Sequence, residues 1–418
     1  MTFGIYTLGC RVNQYESRVI SEKLTEKGYR ELPFSSACDI YIINSCAVTA
    51  ESVRKSRQII RRAKKVNPLA RVIVTGCFAQ ISPNEVESIG EADCIIGNKN
   101  KLNDLLKAID SGYSVTKIQD FGNAEYENYS LSKPTRTREY IKIQDGCEGK
   151  CTYCVIPRAR GPVRSKPRES VISEVNYLAG NGVKEVILTG IEIASYENDL
   201  GSLLSEIDVI DGIERISLGS LEPTLITADF AKKLASIKKL TPHFHISVQS
   251  GCTAVLNRMR RKYNVTMLEN SIGLLKENIP HLQLTCDIIV GFPGETDAEF
   301  EETKAFLERN RFLHAHIFTY SKRPMTPAAE MEDQVPESVK AQRSAVLDSI
   351  QTVIKAQILE KELERKNVPV LFETFKNGIN TGHSDNYIEY LLYSDNDLSG
   401  NIIPVEPIST DKNIITAK

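Results

Sequence analysis

The sequence contains no tryptophan, no histidine before His243 and no apolar run near the length of a membrane span. The missing tryptophan excludes nothing. The missing run excludes an anchor made of a transmembrane helix. An excess of either charge is also lacking: 52 basic and 54 acidic residues give a net charge of −2. Total charge therefore points to no class of partner. The first residues, Met1-Thr-Phe-Gly-Ile-Tyr6, have no signal-peptide layout and read directly as a strand, so a cytoplasmic protein is expected. Ten cysteines in a reducing compartment argue for metal or redox chemistry rather than disulfides. A chain of 418 residues has room for two or three domains.

What is present centres on Gln144-Asp-Gly-Cys-Glu-Gly-Lys-Cys-Thr-Tyr-Cys154. Cys147, Cys151 and Cys154 have the spacing C-x3-C-x2-C, with Tyr153 before the last. Three thiolates so close can hold three corners of a cubane iron–sulfur cluster and leave the fourth iron open. Gly146 and Gly149 let the backbone curl around it. A three-cysteine zinc site is the competing reading. Zinc usually takes a fourth Cys or His nearby, and the nearest histidine is His243. The motif resembles that of the radical S-adenosylmethionine (SAM) enzymes. That resemblance implies SAM bound to the open iron through its amino and carboxylate groups.

Residues 1–112 alternate strand-like and helical stretches, which predicts a doubly wound parallel sheet. Strands are expected over 3–10, 40–46, 71–77 and 94–98, with helices over 13–27, 49–66 and up to 109. Cys10, Cys46 and Cys77 close the first three strands. In such a fold adjacent strand ends line one crevice, so three cysteines scattered in sequence are expected to meet as a second ligand set. The alternative is that they are small core residues, as free cysteines often are. Cys38, Cys94, Cys252 and Cys286 lack partners at useful spacing and read as packing residues. A corrinoid-binding domain, another doubly wound option, would need a D-x-H-x-x-G loop, and this segment has no histidine. The helix from Thr49 carries Arg54, Lys55, Arg57, Arg61, Arg62, Lys64 and Lys65 with no acid after Ser52. Arg54, Arg57, Arg61 and Arg62 are the expected RNA-phosphate contacts, set against an ordinary solvated helix face.

Residues 113–133 are polar and read as a connection. Six strand-and-helix units follow within a central domain at 133–363, too few for a full eight-fold barrel. A partial (β/α)6 barrel is the geometry that radical SAM enzymes use. At its strand ends the resemblance implies SAM contacts from Gly190, Glu192, Ser220, Gln249, Ser250, Arg261 and Gly291, with Tyr153 beside the cluster. Glu192 is the expected acceptor for the amino group, Gln249 and Ser250 suit ribose hydroxyls, and Arg261 suits the carboxylate. Gly291, in a Gly/Pro turn, would permit close approach of adenine. His243, His245, His314 and His316 alternate along strands and read as packing or structural residues. Arg158, Arg160, Arg164, Lys166 and Arg168 follow the cluster motif with no acid among them, and suit an anionic substrate, here RNA.

Two cluster sites and a partial barrel together resemble the methylthiotransferases. Thr7-Leu-Gly-Cys-Arg-Val-Asn-Gln-Tyr-Glu-Ser17, Asn44-Ser-Cys-Ala-Val-Thr-Ala-Glu51, Arg54-Lys-Ser-Arg57 and Gly76-Cys77 are most similar to the branch acting on N6-threonylcarbamoyladenosine beside the tRNA anticodon. His245-Ile-Ser-Val-Gln-Ser-Gly251 and Asp287-Ile-Ile-Val-Gly-Phe-Pro-Gly-Glu-Thr296 resemble the family at large. The resemblance implies two 4Fe-4S clusters on the six cysteines, and SAM. It implies a 5′-deoxyadenosyl radical that takes hydrogen from C2 of the adenine, and transfer of a methylated sulfur from the Cys10, Cys46 and Cys77 site. The implied partners are the anticodon stem-loop of tRNA and an electron donor such as flavodoxin or ferredoxin.

From 366 to 418 the pattern suggests a small all-β barrel after a long helix over 336–366, and the family has an RNA-gripping TRAM domain here. From Val368 on, seven acids against three bases (Lys376, Lys412 and Lys418) make the segment acidic, which suits phosphate poorly. Three alternatives therefore remain: the same chemistry on isopentenyladenosine, the same chemistry on an aspartate of a ribosomal protein, and a zinc-stabilised RNA-binding protein without catalysis.

Overall fold

The computed structural model describes residues 1–134, 136–411 and 413–418. Lys412, counted above among the bases of the tail, lies outside them.

The chain opens with β1 (Thr2–Thr7), α1 (Arg11–Glu26), β2 (Ile40–Ser45), α2 (Ala50–Val66), β3 (Arg71–Gly76), β4 (Cys94–Ile96), α3 (Lys101–Ser111) and β5 (Val115–Lys117). β1 to β5 run parallel in that order, with the short strand Arg30–Glu31 at the outer edge of β1. β2, Ile-Tyr-Ile-Ile-Asn-Ser, is buried at every position. That explains its unbroken apolar run, since a central parallel strand is covered on both faces. α2 starts where the Thr49 hydroxyl accepts the Ser52 backbone N–H, and it ends before Pro68. β5 was expected to be connection. It falls in a polar segment because it is an edge strand, partly exposed on both faces.

The partial barrel follows: β6 (Arg138–Lys142), α4 (Arg168–Gly180), β7 (Glu185–Thr189), α5 (Leu200–Asp208), β8 (Arg215–Leu218), α6 (Ala228–Ser236), β9 (His243–Gln249), α7 (Val265–Asn278), β10 (Gln283–Val290), α8 (Asp297–Asn310) and β11 (His314–Thr319). The strands are parallel in two hydrogen-bonded sets, β6-β7-β8 and β9-β10-β11, with Ser220–Leu221 bordering β9. A bridge between Ile216 and Leu240 joins the sets. Residues of the first sheet (Phe3, Ile40, Ile73) and of the barrel (Ile141, Val186, Phe244) share one continuous apolar core. The first sheet is thus docked on the barrel, not tethered beside it.

α9 (Glu337–Glu362) leads to six strands: β12 (Val368–Lys376), β13 (Ile379–Ser384), β14 (Glu389–Tyr393), β15 (Ile402–Val405), β16 (Pro407–Asp411) and β17 (Ile414–Ala417). They form a curled mixed sheet in the order β15-β12-β13-β14-β17-β16, a half-barrel in which only β14 and β17 pair in parallel. This sheet closes the amino-terminal end of the larger barrel. Arg215, first in β8, donates to the carbonyls of His383 (3.0 Å) and Pro369 (2.7 Å). Arg138, first in β6, reaches Glu373 at 3.3 Å, and His243, first in β9, stacks on Tyr387 with ring centroids 4.4 Å apart. At the opposite end, where the strands finish, the first domain approaches the barrel, the Ala50 N–H donating to the Ser321 hydroxyl at 3.1 Å. No helix of the described residues is long and apolar enough to cross a membrane.

Candidate active site

Gln144 and Asp145 pair with Arg164 and Ser165 as a short antiparallel ribbon, and the cysteine loop springs from it. Gly146 makes the turn at φ +78°, where a Cβ would sit 1.8 Å from the Pro162 carbonyl oxygen. No other residue fits there. Gly149 lies against the thiols themselves, its absent Cβ 3.1 Å from Cys147 Sγ and 3.8 Å from Cys151 Sγ. All three sulfurs accept hydrogen bonds: Cys147 from the Gly149 N–H (3.2 Å), Cys154 from the Ile156 N–H (3.4 Å), and Cys151 from Arg261 Nη1 (3.0 Å). Burial pushes Cys147 up and Cys154 up to about 12. Such thiols stay protonated at neutral pH unless a metal replaces the proton. The cradle and its N–H donors fit an iron–sulfur cluster.

The second set forms through topology. Cys10, Cys46 and Cys77 stand just beyond β1, β2 and β3. Burial and the neighbouring Cys77 and Cys10 push the Cys46 thiol up to about 11. The three therefore lie within electrostatic reach of one another. Gly9, at φ +96°, brings the chain so close that a Cβ would meet Cys46 Sγ at 2.9 Å. This is a second three-thiol pocket, suited to the same kind of group.

Charge joins the two pockets. Glu16 of α1 accepts from Arg160 (2.6 Å), Lys142 (2.9 Å) and Lys101. Asp145 pairs with Lys142 (2.7 Å), Arg160 (3.3 Å) and Arg164 (3.6 Å). All six residues are buried. Burial alone would raise both carboxyls, but the cations outweigh it. Glu16 is held well below the usual carboxylate range and Asp145 at about 2. Four cations face two carboxylates, and the surplus positive charge lies beside Cys10 and Cys77, both of which act electrostatically on Arg160. It complements anionic thiolate clusters.

Arg160 and Arg164 are therefore not RNA contacts. They are consumed inside the junction, as Lys166 is by Glu174 at 2.5 Å, while Arg168 is taken up by Glu206. Arg158 alone of that run is exposed and unpaired among the described residues. On α2, Arg54 pairs with Glu51 (2.6 Å) and Arg57 with Glu85; Arg61 and Arg62 are exposed without such partners among the described residues.

Beside Cys10 lies a cavity of about 450 Å³. Cys10 and Arg11 form one wall, Gly190 and Ser220 another, and His245, Asp287 and His316 the barrel side. A smaller cavity of about 240 Å³ shares Asp287 and Phe318 with it and reaches Tyr153, Gln249 and Thr49. Glu192 is raised to about 7, because burial and the neighbouring Glu222 outweigh the lowering pull of Arg261 and Lys262. Arg261 is held by Glu222 (3.2 Å) and Tyr263 (2.8 Å). Ser250 and Gly291 do not join this group. The Ser250 hydroxyl is buried against Thr303 and the Cys252 N–H, and the close approach at Gly291 is made by Lys340, 2.3 Å from where a Cβ would be.

The histidines are the reverse case. His245, Asp287 and His316 place ring nitrogens and a carboxylate oxygen within 4.8 Å of one another on the lumen. The signal in the sequence is the polar alternation His243/His245/Ser247/Gln249 and Thr285/Asp287, which marks a lumen-facing side rather than an outer one. Arg11 has no comparable signal.

Comparison with known proteins agrees with this geometry. Residues 141–307 match the radical SAM superfamily, and residues 2–97 match the uncharacterized protein family UPF0004. A Bacillus subtilis protein named threonylcarbamoyladenosine tRNA methylthiotransferase MtaB is 39% identical over 97% of this chain and 93% of its own length. The chain belongs to the radical SAM methylthiotransferases. A Thermotoga maritima MtaB is 38% identical over 93% of this chain and 91% of its own. Within the same family, an Acetivibrio thermocellus tRNA-2-methylthio-N(6)-dimethylallyladenosine synthase is 36% identical over 89% of this chain and 80% of its own. Among solved structures, the radical SAM methyltransferase TsrM from Kitasatospora setae aligns with TM-score 0.60 at 17% identity, over 78% of this chain and 77% of that one. At that identity the likeness is one of fold. The cavity between Cys10 and Gly190 adjoins the one that Tyr153 lines, so the two cysteine loops border neighbouring spaces.

Proposed function

We propose that this chain adds a methylthio group to C2 of N6-threonylcarbamoyladenosine at position 37 of tRNA, next to the anticodon. One observation carries the reading: Cys10 lines a cavity at the carboxyl ends of the barrel strands, and the adjoining cavity, which shares Asp287 and Phe318 with it, is lined by Tyr153 of the other cysteine loop. The full-length relatives named for this substrate support it.

In this reading residues 1–112, 133–363 and 366–418 are the three functional units. Cys147, Cys151 and Cys154 hold one 4Fe-4S cluster, and Cys10, Cys46 and Cys77 the other. When bound, the clusters and SAM supply the 5′-deoxyadenosyl radical, the sulfur and the methyl group. The chain supplies the rest. Glu192, ionised, faces the SAM ammonium and is relieved by it. Gly190 and Ser220 bound the SAM side of the cavity, and Gln249 and Tyr153 the neighbouring one. Arg261 keeps Cys151 in place and offers its remaining donors to a carboxylate. The buried junction of Glu16, Asp145 and Arg160 fixes the separation of the two pockets and excludes water between them. α2 starts at the cavity rim and runs about 25 Å away from it, at 1.5 Å per residue, carrying Arg61 and Arg62 as a track for the RNA backbone. A reduced flavodoxin or ferredoxin is the fitting electron donor.

The case for a ribosomal-protein substrate rested on the acidic tail. Glu373 is spent on Arg138 and His383 (2.6 Å), and Asp385 on Arg365 (3.0 Å). The tail's charge serves its own docking in part.

The test is an anaerobic reaction of cluster-loaded protein with SAM, reductant and total tRNA carrying both threonylcarbamoyl- and isopentenyladenosine, followed by nucleoside mass spectrometry. A methylthio adduct on the threonylcarbamoyl nucleoside alone is expected. An adduct on the isopentenyl nucleoside alone overturns the substrate assignment, and no adduct with SAM still cleaved overturns tRNA as substrate.

A further inference from the structure

Arg11 is the first residue of α1 and follows Cys10 directly. It lines the 450 Å³ cavity and also a deeper one of about 270 Å³ that runs down the barrel toward the half-barrel. The two cavities share Arg11, His245 and His316. Among the described residues its guanidinium has no hydrogen bond and no ion pair; it lies 5.8 Å from the face of Tyr140 and within electrostatic reach of His243 and His316.

That solitude sets it apart. Other cations packed nearby are matched: Arg160, Lys142 and Lys101 by Glu16, Arg138 by Glu185 and Glu373, and Arg261 by Glu222, while Arg136, which shares the Tyr140 ring with Arg11, lines neither cavity. Asp287, the carboxylate on the same cavity, is engaged by His245 at 3.3 Å. Helix stability does not explain Arg11 either. α1 has no acid in its first turn, and a cation at a helix N-terminus opposes the helix dipole. An unmatched guanidinium facing a hollow is built to receive a planar anion, and a carboxylate takes it in bidentate fashion.

The substrate in the functional reading above carries such a group. On adenine, C2 and C6 flank N1, so a substituent on N6 lies along the edge that C2 shares. Sulfur delivered to C2 from the Cys10 side therefore leaves the N6 substituent within reach of the adjoining residue. Threonylcarbamoyl ends in a carboxylate, whereas isopentenyl is an uncharged hydrocarbon. Other cations offer little competition. Burial lowers the pKa of His243, His314 and His316, which leaves them neutral near pH 7, and Lys355 lies at the far cavity beside Glu389.

We propose that Arg11 binds the carboxylate of the threonylcarbamoyl group, and is the residue by which the site distinguishes this anionic N6 substituent from an uncharged one. The proposal rests on the substrate reading above and adds the means of selection.

The experiment uses one anticodon stem-loop sequence in three forms: threonylcarbamoyl, its carboxylate methyl ester, and isopentenyl. Binding is measured by fluorescence anisotropy, and turnover by nucleoside mass spectrometry. Wild-type protein should bind and convert the free acid about 10- to 100-fold better than the ester, the range of a charged hydrogen-bonded pair. In Arg11→Met that preference should vanish through loss of the acid alone, and Arg11→Lys should restore part of it. Equal handling of acid and ester by the wild type overturns the proposal without any variant. Equal weakening of acid and ester in Arg11→Met also overturns it, since that marks a phosphate contact or a structural role. If the wild type prefers the acid in binding yet methylthiolates none of the RNAs, the functional reading fails while the carboxylate site stands.

Discussion

Arg160 and Glu16 lie 2.6 Å apart, both buried, across the junction between the first sheet and the barrel. Arg160 ends the helical turn that follows Cys154, and Glu16 sits on α1 just after Cys10. One ion pair thus ties the loops that bear the two cysteine sets. Removing one partner of a buried pair leaves an uncompensated charge, which costs far more than the pair itself contributes.

Arg160→Met should therefore destabilise the protein by about 3–5 kcal/mol, read as a lower midpoint in denaturant unfolding. Arg160→Lys should recover part of the loss. The same junction predicts acid behaviour. Asp145 is depressed to about 2, below its unfolded value, so its contribution is full above about pH 4 and is lost as pH falls toward 2. Stability of Asp145→Asn should be correspondingly flatter over that range.

Glu192 has the opposite shift, up to about 7. Below that pH it takes a proton and ceases to attract the SAM ammonium. SAM affinity, measured by equilibrium dialysis on cluster-loaded protein, should weaken as pH drops from 8 to 6. Glu192→Gln should bind more weakly, by about tenfold, with no pH dependence over that interval. A wild-type affinity flat from pH 6 to 8 would contradict this role.

The six cysteines should divide cleanly in an iron analysis. Replacing Cys10, Cys46 and Cys77 with alanine should leave about four irons per chain and keep reductive SAM cleavage, while abolishing methylthio transfer. Replacing Cys147, Cys151 and Cys154 should leave the other four and abolish both. Zinc in place of iron in the wild type would contradict the cluster assignment.

On α2, the exposed pair is the one to reverse. Arg61→Glu with Arg62→Glu should weaken tRNA binding and lower the salt slope by about two, as two phosphate contacts are lost. Arg54→Glu should do less, since Arg54 is already paired with Glu51.

Much of this organisation is legible in the residue order, for a physical reason. Strands buried on both faces must be apolar throughout, so β2 and β3 stand out, and with them the cysteines at their ends. The charged junction is not legible. A run such as Arg158 to Arg168 looks like surface when no acid lies within it, yet Glu16, which neutralises Arg160, is 144 residues away in sequence. The histidines are legible in part: His243 and His245 bond Thr285 as structural residues do, but alternation does not show that His245 and His316 face a cavity. β13, β16 and β17 escape notice because a small curled sheet with one wet face needs few apolar residues. Arg11 has no signal at all, since its meaning lies in the absence of a partner.

In the proposed reaction C2 of the substrate adenine sits in the cavity between Cys10 and Gly190. This is tested most directly with an anticodon stem-loop bearing deuterium at C2 of the threonylcarbamoyladenosine. After reaction, the 5′-deoxyadenosine is isolated and weighed. Deuterium carried into it, in step with loss from the methylthiolated nucleoside, is the expected result. Deuterium retained in the product nucleoside, or released only to solvent, would contradict the account.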